Sequence, residues 1–249
     1  MAINTEKNSY TVGFAVVMVV VVGLLLAGIS QLLKPNIDAN KRAEKQQNIL
    51  YAMGINNNEG KNDVVFIEGP ELQQTFDQYI TEQFYIQGGE RVDDPEAYLI
   101  DIKKEKKKAE NPDYDQKLPL FKGTKDGKDI YVMPVRGKGL WDAIWGFVAV
   151  DTDMTIQGVF FDHKAETPGL GAEIKQRYFM DDFVGESFLN DGQFSGVNVA
   201  KGNNDPKNED KTDNEVDALA GATITGDGLA KMLRKDVQKY VPYFESLKN

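Results

Sequence analysis

"DIYVMPVRGKGLWDAIWGFVAVDTDMTIQGVFFDHKAETPGLGAEI", Asp129 to Ile174, decides the fold. It is rich in β-branched and aromatic residues. Ile144–Val150 and Thr155–Phe161 are two apolar runs, and Asp151–Met154 between them reads as a hairpin turn. Two loops interrupt the pattern. In "RGKGLW", Arg136 to Trp141, glycines alternate with a lysine before an aromatic. In "HKAETPGLGAE", His163 to Glu173, Pro168, Gly169 and Gly171 share one turn-rich loop. Each reads as a connection between strands, or as backbone approaching a flat ligand. His163 reads as a surface residue rather than a proton donor.

Toward the C-terminus, "QRYFMDDFVG" predicts a short helix and "GVNVA" a strand. Lys201–Val216, without aromatics and full of turn formers, predicts a mobile surface loop. "GDGLAKMLRKDVQKYVPYFESL" then places Leu229, Leu233, Val237, Tyr240 and Val241 at helical spacing, an amphipathic helix lying on the domain. Toward the N-terminus, "QFYI" near Phe84 and "DVVFIE" near Val64 read as short strands. Lys103–Lys117 reads as a solvated loop or exposed helix end. "NIDANKRAEKQQNILYAMGI" predicts a helix with Ile49, Leu50 and Met53 on its apolar stripe and Gly54 as its C-terminal cap.

"YTVGFAVVMVVVVGLLLAGISQLL", Tyr10 to Leu33, carries no charge. It reaches roughly 36 Å as a helix, enough for a hydrocarbon core of about 30 Å. Lys34 and Pro35 end it, and it exceeds the apolar core of a cleaved signal peptide. Lys34, Lys41, Arg42 and Lys45 against Lys7 place the following domain in the cytoplasm by the positive-inside count. The expected organisation is a short tail (1–9), a transmembrane helix (10–34), the N-terminal part of a soluble domain with a connecting helix (35–128), and a core (129–249). The fold class is α+β, an antiparallel sheet flanked by helices on a single N-terminal transmembrane helix.

Composition removes several functions. The formal net charge of -10 argues against a nucleic-acid partner. Without cysteine there is no disulfide, iron–sulfur ligation or thiol catalysis, and a single histidine rules out a multi-histidine metal site. No metal and no catalytic side chain are expected.

"DALAGATITGDGL", Asp217 to Leu229, is stripped of bulk around two threonines. One reading is a helix N-terminus with Thr225 as the cap and Asp227 in the first turn. That leaves "AGAT" unexplained. The other is a phosphate site, because a helix N-terminus presents free N–H groups and small residues allow close approach.

"RGKGLW", "ETPGLGAE" and "DALAGAT", in this order behind one transmembrane helix, closely resemble the FMN-binding domain family, found in subunits of Na+-translocating NADH:quinone oxidoreductases and of Rnf complexes. The family's attachment signature is Asp-x-x-(Ser/Thr)-Gly-Ala-Thr. Here it runs Asp217, Ala218, Leu219, Ala220, Gly221, Ala222, Thr223, departing only at Ala220, where a hydroxyl residue is usual. The resemblance implies covalent FMN, phosphoester-linked to Thr223, with Asp217, Gly221, Ala222 and Thr225 around the phosphate. It implies an isoalloxazine lying near Lys138, Gly139, Leu140 and Trp141 on one side and Glu166, Thr167, Pro168, Gly169, Leu170 and Gly171 on the other. It also implies an electron-transfer subunit that relays electrons from NADH toward quinone, with no complete activity alone. The implied partners are the other subunits of such a reductase (A, B, D, E and F), a flavin transferase and the membrane. The implied location is the bacterial inner membrane with the domain on the periplasmic side, against the lysine count. An Rnf-type subunit with the same covalent FMN and a non-redox assembly module are the competing readings.

Overall fold

The computed structural model describes residues 7–202, 205 and 208–248. The tail expected over 1–9 therefore lies largely outside the described residues, as do residues 203, 204, 206 and 207 of the expected mobile loop. The chain divides into two units, residues 1–44 and 45–249.

Helix α1 (Asn8–Ala52) covers both the apolar segment and the connecting helix. Pro35 removes one amide donor, yet the helix runs through it. Within the first unit the large apolar side chains from Tyr10 to Leu33 are exposed, and the helix is long and apolar enough to cross a membrane. Its far end stops where Gly54 takes φ +73°. The Gly54 and Ile55 N–H groups donate to the Tyr51 and Leu50 carbonyls, at 2.8 and 2.9 Å. That is a Schellman cap, which glycine adopts without strain.

The second unit is built on helix α2 (Glu71–Tyr79), strands β1 (Ile80–Gln87) and β2 (Glu90–Asp93), helix α3 (Ile102–Lys108), and strands β3 (Leu118–Lys125), β4 (Lys128–Lys138), β5 (Ala143–Val150) and β6 (Ile156–His163). The six strands form one antiparallel sheet in the order β2-β1-β3-β4-β5-β6. Helix α4 (Arg177–Asp181) follows. The small pairs β7 (Leu189–Asn190) with β8 (Gln193–Phe194) and β9 (Asn198–Val199) with β10 (Glu215–Val216) come next. Helices α5 (Thr223–Val237) and α6 (Val241–Ser246) close the chain.

Register shows what covers each face. Gly123, Ile130, Val132, Ala149 and Gly158 share one face. A Cβ at Gly123 would meet the Met53 side chain, and one at Gly158 the Ala52 carbonyl, so the end of α1 lies there. Tyr131 and Gly137 point the other way, against Phe244 of α6 and Met232 of α5. Ile130 to Val135 are consequently buried without alternation.

Four expectations need correction. "DVVFIE" forms no strand: the Asn58 side chain accepts the Val65 N–H at 2.8 Å, and Phe66 packs edge-on against Tyr51 and Phe160. The charged run at Lys103 is not simply solvated. Glu105 is buried and accepts from Tyr114 Oη at 2.6 Å and Lys108 Nζ at 2.7 Å. The segment expected as a mobile surface loop contains buried Asn208, whose Nδ2 donates to Glu186 and to the Asp182 carbonyl. The last helix begins at Thr223, earlier than a Thr225 cap requires.

Candidate functional site

In an antiparallel sheet the end of β4, the start of β5 and the end of β6 lie at one edge, as the Lys138–Ala143 and Ile144–His163 pairings record. The two loops singled out in the sequence leave from that edge, and α5 starts beside them. Glu166 joins all three. Its carboxylate is 4% exposed and accepts from Thr225 Oγ1 at 2.6 Å, Trp141 N at 3.0 Å and Leu140 N at 3.4 Å. Burial alone would push the Glu166 carboxyl up. The Thr225 hydroxyl and the N–H groups of Trp141, Leu140 and Asp142 outweigh it and hold the group below its ordinary value.

The glycines of both loops are the space this network occupies. A Cβ on Gly139 would stand 2.7 Å from Glu166 Oε1. One on Gly171 would stand 2.6 Å from Glu166 Oε2 and collide with Thr225 Oγ1. The Trp141 indole N–H donates to Thr167 Oγ1 at 3.1 Å, a second tie between the loops. Pro168 and Gly169 lie on the exposed turn, where Gly169 takes φ +74° and its N–H reaches Glu173.

Thr225 is therefore not the helix cap. Ala222 holds that place without a side-chain bond, and Thr225 sits buried in the first turn. Asp227 falls beyond that turn. The small residues before the helix make a tight turn instead: Ala222 N–H donates to the Leu219 carbonyl at 3.0 Å, and Gly221 takes φ +69°. A side chain there would be strained, and its Cβ would meet Leu170 Cδ2 at 2.8 Å. This turn puts Thr223 at the exposed first position of the helix. The first intrahelical bond at this end is Gly226 N to Ala222 O, at 2.9 Å. The N–H groups of Thr223, Ile224 and Thr225 precede it and point out of the helix end.

Around Thr223 stands an apolar rim that water would not select. Trp141 is 64% exposed and Ile224 58%, with Leu140 and Leu170 close to half. The exposed hydroxyl, helix N-terminus, glycine-cleared loops and apolar rim fit an FMN: phosphate at one end, flat ring system at the other. Two expected residues stand apart. Asp217 has a buried Oδ2 with no hydrogen-bond partner among the described residues. Lys138 packs its backbone carbonyl against Gly228 of α5. The geometry also adds two residues. Ile224 breaks the polar side of the α5 pattern. His163 is half-buried rather than superficial: Nδ1 accepts the Glu166 N–H at 3.2 Å, and Nε2 is enclosed without a partner among the described residues. Nothing in the sequence around His163 signals that contact. Among the described residues no group of acidic or histidine side chains could hold a metal.

The FMN-binding domain family matches residues 139–238, a span that contains both loops and α5. Over most of its length the chain is similar to the NqrC protein of the Na(+)-translocating NADH-quinone reductase of Pseudomonas aeruginosa, 31% identical over 92% of this chain and 91% of that protein. It is also similar to the NqrC protein of Neisseria meningitidis serogroup A, at 31% over 100% and 98%. Among solved structures, NqrC from Parabacteroides distasonis superposes with a TM-score of 0.71 at 31% identity, over 85% of this chain and 96% of that one. Shewanella oneidensis NqrC superposes at 0.66 and 27%, over 84% and 99%.

Proposed function

This chain belongs to the NqrC family of Na+-translocating NADH-quinone reductases, and from that premise we propose that it is the complex's membrane-anchored electron carrier, holding FMN by a phosphoester to Thr223. Bound FMN supplies the redox chemistry, accepting and donating electrons at its ring. The chain's own residues bind, orient and shield. The N–H groups opening α5 and the helix dipole favour the phosphate. The Thr223 hydroxyl, exposed at the first helical position, is the acceptor. Leu140, Trp141, Leu170 and Ile224 offer the apolar faces a ring system needs. Glu166 positions rather than reacts: it locks the Trp141 loop and the first turn of α5 in one arrangement.

A covalently held cofactor suits a relay between fixed neighbours, with NADH and quinone handled by other subunits. The anchor is α1, which has no ionisable side chain between Tyr10 and Leu33 and so provides no ion path by itself. A flavin transferase would attach the cofactor, with the domain on the periplasmic side. Ala220, exposed in the turn before Thr223, leaves the acceptor intact.

The observation that carries this reading is the pair of threonines in opposite environments, Thr223 exposed and Thr225 buried against Glu166. The test is the full-length chain produced in membranes with a flavin transferase, as wild type, Thr223→Ala and Thr225→Ala, scored by intact mass and by fluorescence on a denaturing gel. Wild type and Thr225→Ala are expected to keep one FMN after denaturation, and Thr223→Ala none. A colourless wild type, or flavin surviving in Thr223→Ala, overturns the reading.

A further inference from the structure

Away from the flavin site, α3, the end of β4 and α5 enclose an open cleft of about 410 Å³. Its cationic lining is Lys103, Lys106, Arg136, Lys138, Lys231 and Lys235, and its lining includes no carboxylate. The chain as a whole has a net charge of -10, so this is a concentration of the minority charge. Among the described residues one of these cations is held in a close ion pair, and Lys103 acts on Asp142 only at longer range. Lys106 Nζ reaches Asp236 Oδ2 at 2.6 Å and also the Arg136 carbonyl. Lys103, Lys138, Lys231 and Lys235 are exposed and form no ion pair among the described residues. Four like charges gathered at one cleft repel each other and destabilise the fold slightly. An external anion removes that repulsion.

We propose that this cleft is the docking site for an acidic polypeptide surface of a neighbouring subunit, bringing that subunit to the flavin edge. The proposal rests on the electron-carrier reading above. Three observations favour a protein surface over a phosphate. The cations lie on long lysines from three separate elements, which suits several spaced carboxylates. The single arginine is turned over the Trp145 ring, 5.7 Å from its centroid, and is not presented as a fork for a phosphate. The floor is closed by the buried Met232 side chain, and the alkyl stems of the lysines around it offer a partner apolar area inside a charged ring. Position supplies the link to function. Lys138 immediately precedes Gly139 and Leu140, and its carbonyl packs against Gly228, one helical turn or so beyond Thr223. Cleft and flavin site share that wall. Charge pairing at the cleft would steer the partner and fix its register beside the ring.

The test uses the purified, assembled reductase. A zero-length carbodiimide cross-linker joins a lysine to a carboxylate only where the two are paired. Cross-linked peptides linking Lys103, Lys231 or Lys235 to an Asp or Glu of another subunit are expected, with yield falling as salt is raised. A Lys103→Glu/Lys231→Glu/Lys235→Glu variant should turn over NADH and quinone about tenfold more slowly at low ionic strength, the gap closing at high salt. A control reversing Lys61, Lys128 and Lys175, exposed elsewhere, should match wild type. If the cleft lysines cross-link to no other subunit and the triple variant turns over normally, the proposal is wrong. If the variant loses only its binding to phosphatidylglycerol vesicles, the occupant is lipid and the proposal is equally wrong. Denaturing-gel fluorescence, read in parallel, reports the covalent flavin. Its absence from wild type would sink the carrier reading while the cross-links still judge the cleft.

Discussion

A carboxylate enclosed as Glu166 is keeps its charge only if donors replace the water it has lost. Thr225 and the backbone of Leu140 and Trp141 are those donors. Removing one partner strands the other, so the two sides of the bond have unequal consequences. Thr225→Val deletes one donor at nearly constant volume and leaves the backbone donors in place. It should destabilise the fold by about 1–2 kcal/mol. Glu166→Ala strands a hydroxyl and two N–H groups and should destabilise it by about 3 kcal/mol. Denaturant unfolding of the full-length protein in detergent, followed by near-ultraviolet circular dichroism, separates them. Equal midpoints for Thr225→Val and wild type would show that the bond contributes nothing. This is also where the sequence was hardest to read. A threonine near a helix start looks like a cap because capping is a local rule. Which threonine begins α5 is set by two features outside that rule. One is the left-handed turn at Gly221, and the other is a carboxylate 59 residues upstream in the chain. Thr223 as the proposed acceptor was legible only through the family's Gly-Ala-Thr spacing; its exposure follows from the fold.

Elements with a local physical cause were legible. The β5–β6 hairpin, the apolar stripe of α5 and the glycine that ends α1 were all read from neighbours in sequence. The missing strand at Val64–Ile67 was not. Its composition suits a strand, but the Asn58 side chain takes the Val65 amide and, among the described residues, no strand pairs with it. Propensity describes a half-buried pleated surface, not the presence of a partner. The seating of α5 on β4 depends on a similar long-range fact, the close approach at Gly228. A Cβ there would run into the Lys138 carbonyl, and backbone cannot swing aside as a side chain can. Gly228→Ala should therefore destabilise the fold by about 1–3 kcal/mol, although alanine is the better helix former by about 1 kcal/mol. For a domain of this size that lowers the melting temperature by roughly 3–10 °C. Gly202→Ala, with open space around its Cβ, is the control and should stay within about 0.5 kcal/mol. A Gly228→Ala protein as stable as the control would mean that helix and strand part without resistance.

Across the whole molecule the charge is unevenly placed, with acids dominating the total and lysines dominating one cleft. A second imbalance lies inside the domain. Burial pushes the Glu186 carboxyl up to about 7; the bond from Asn208 and the nearby Lys211 lower it, and Asp213 and Asp210 raise it again. Asp182 is pushed up to about 6, first by burial, with Lys211 opposing and Asp217, Asp181 and Asp205 reinforcing. Both groups hold their protons in the folded state at pH values where the unfolded chain has released them. Stability is therefore greatest below about pH 4 as far as these two are concerned, and is lost as the pH rises toward 7. Glu166 has the opposite sign: its depressed folded value means that its contribution is present above the ordinary glutamate range and is lost in stronger acid. The two trends together place the optimum near pH 4, about the ordinary carboxylate range, with a decline toward pH 7.5. Glu186 is fully buried, so its share of that decline is about 3 kcal/mol at roughly 1.4 kcal/mol per pH unit of displacement. Glu186→Gln keeps an acceptor for Asn208 but cannot titrate. Its stability should vary far less between pH 5 and 7.5, and at pH 7.5 it should exceed wild type. Urea unfolding midpoints measured at half-unit steps decide the matter, and a variant that declines in parallel with wild type would assign the pH response to other groups.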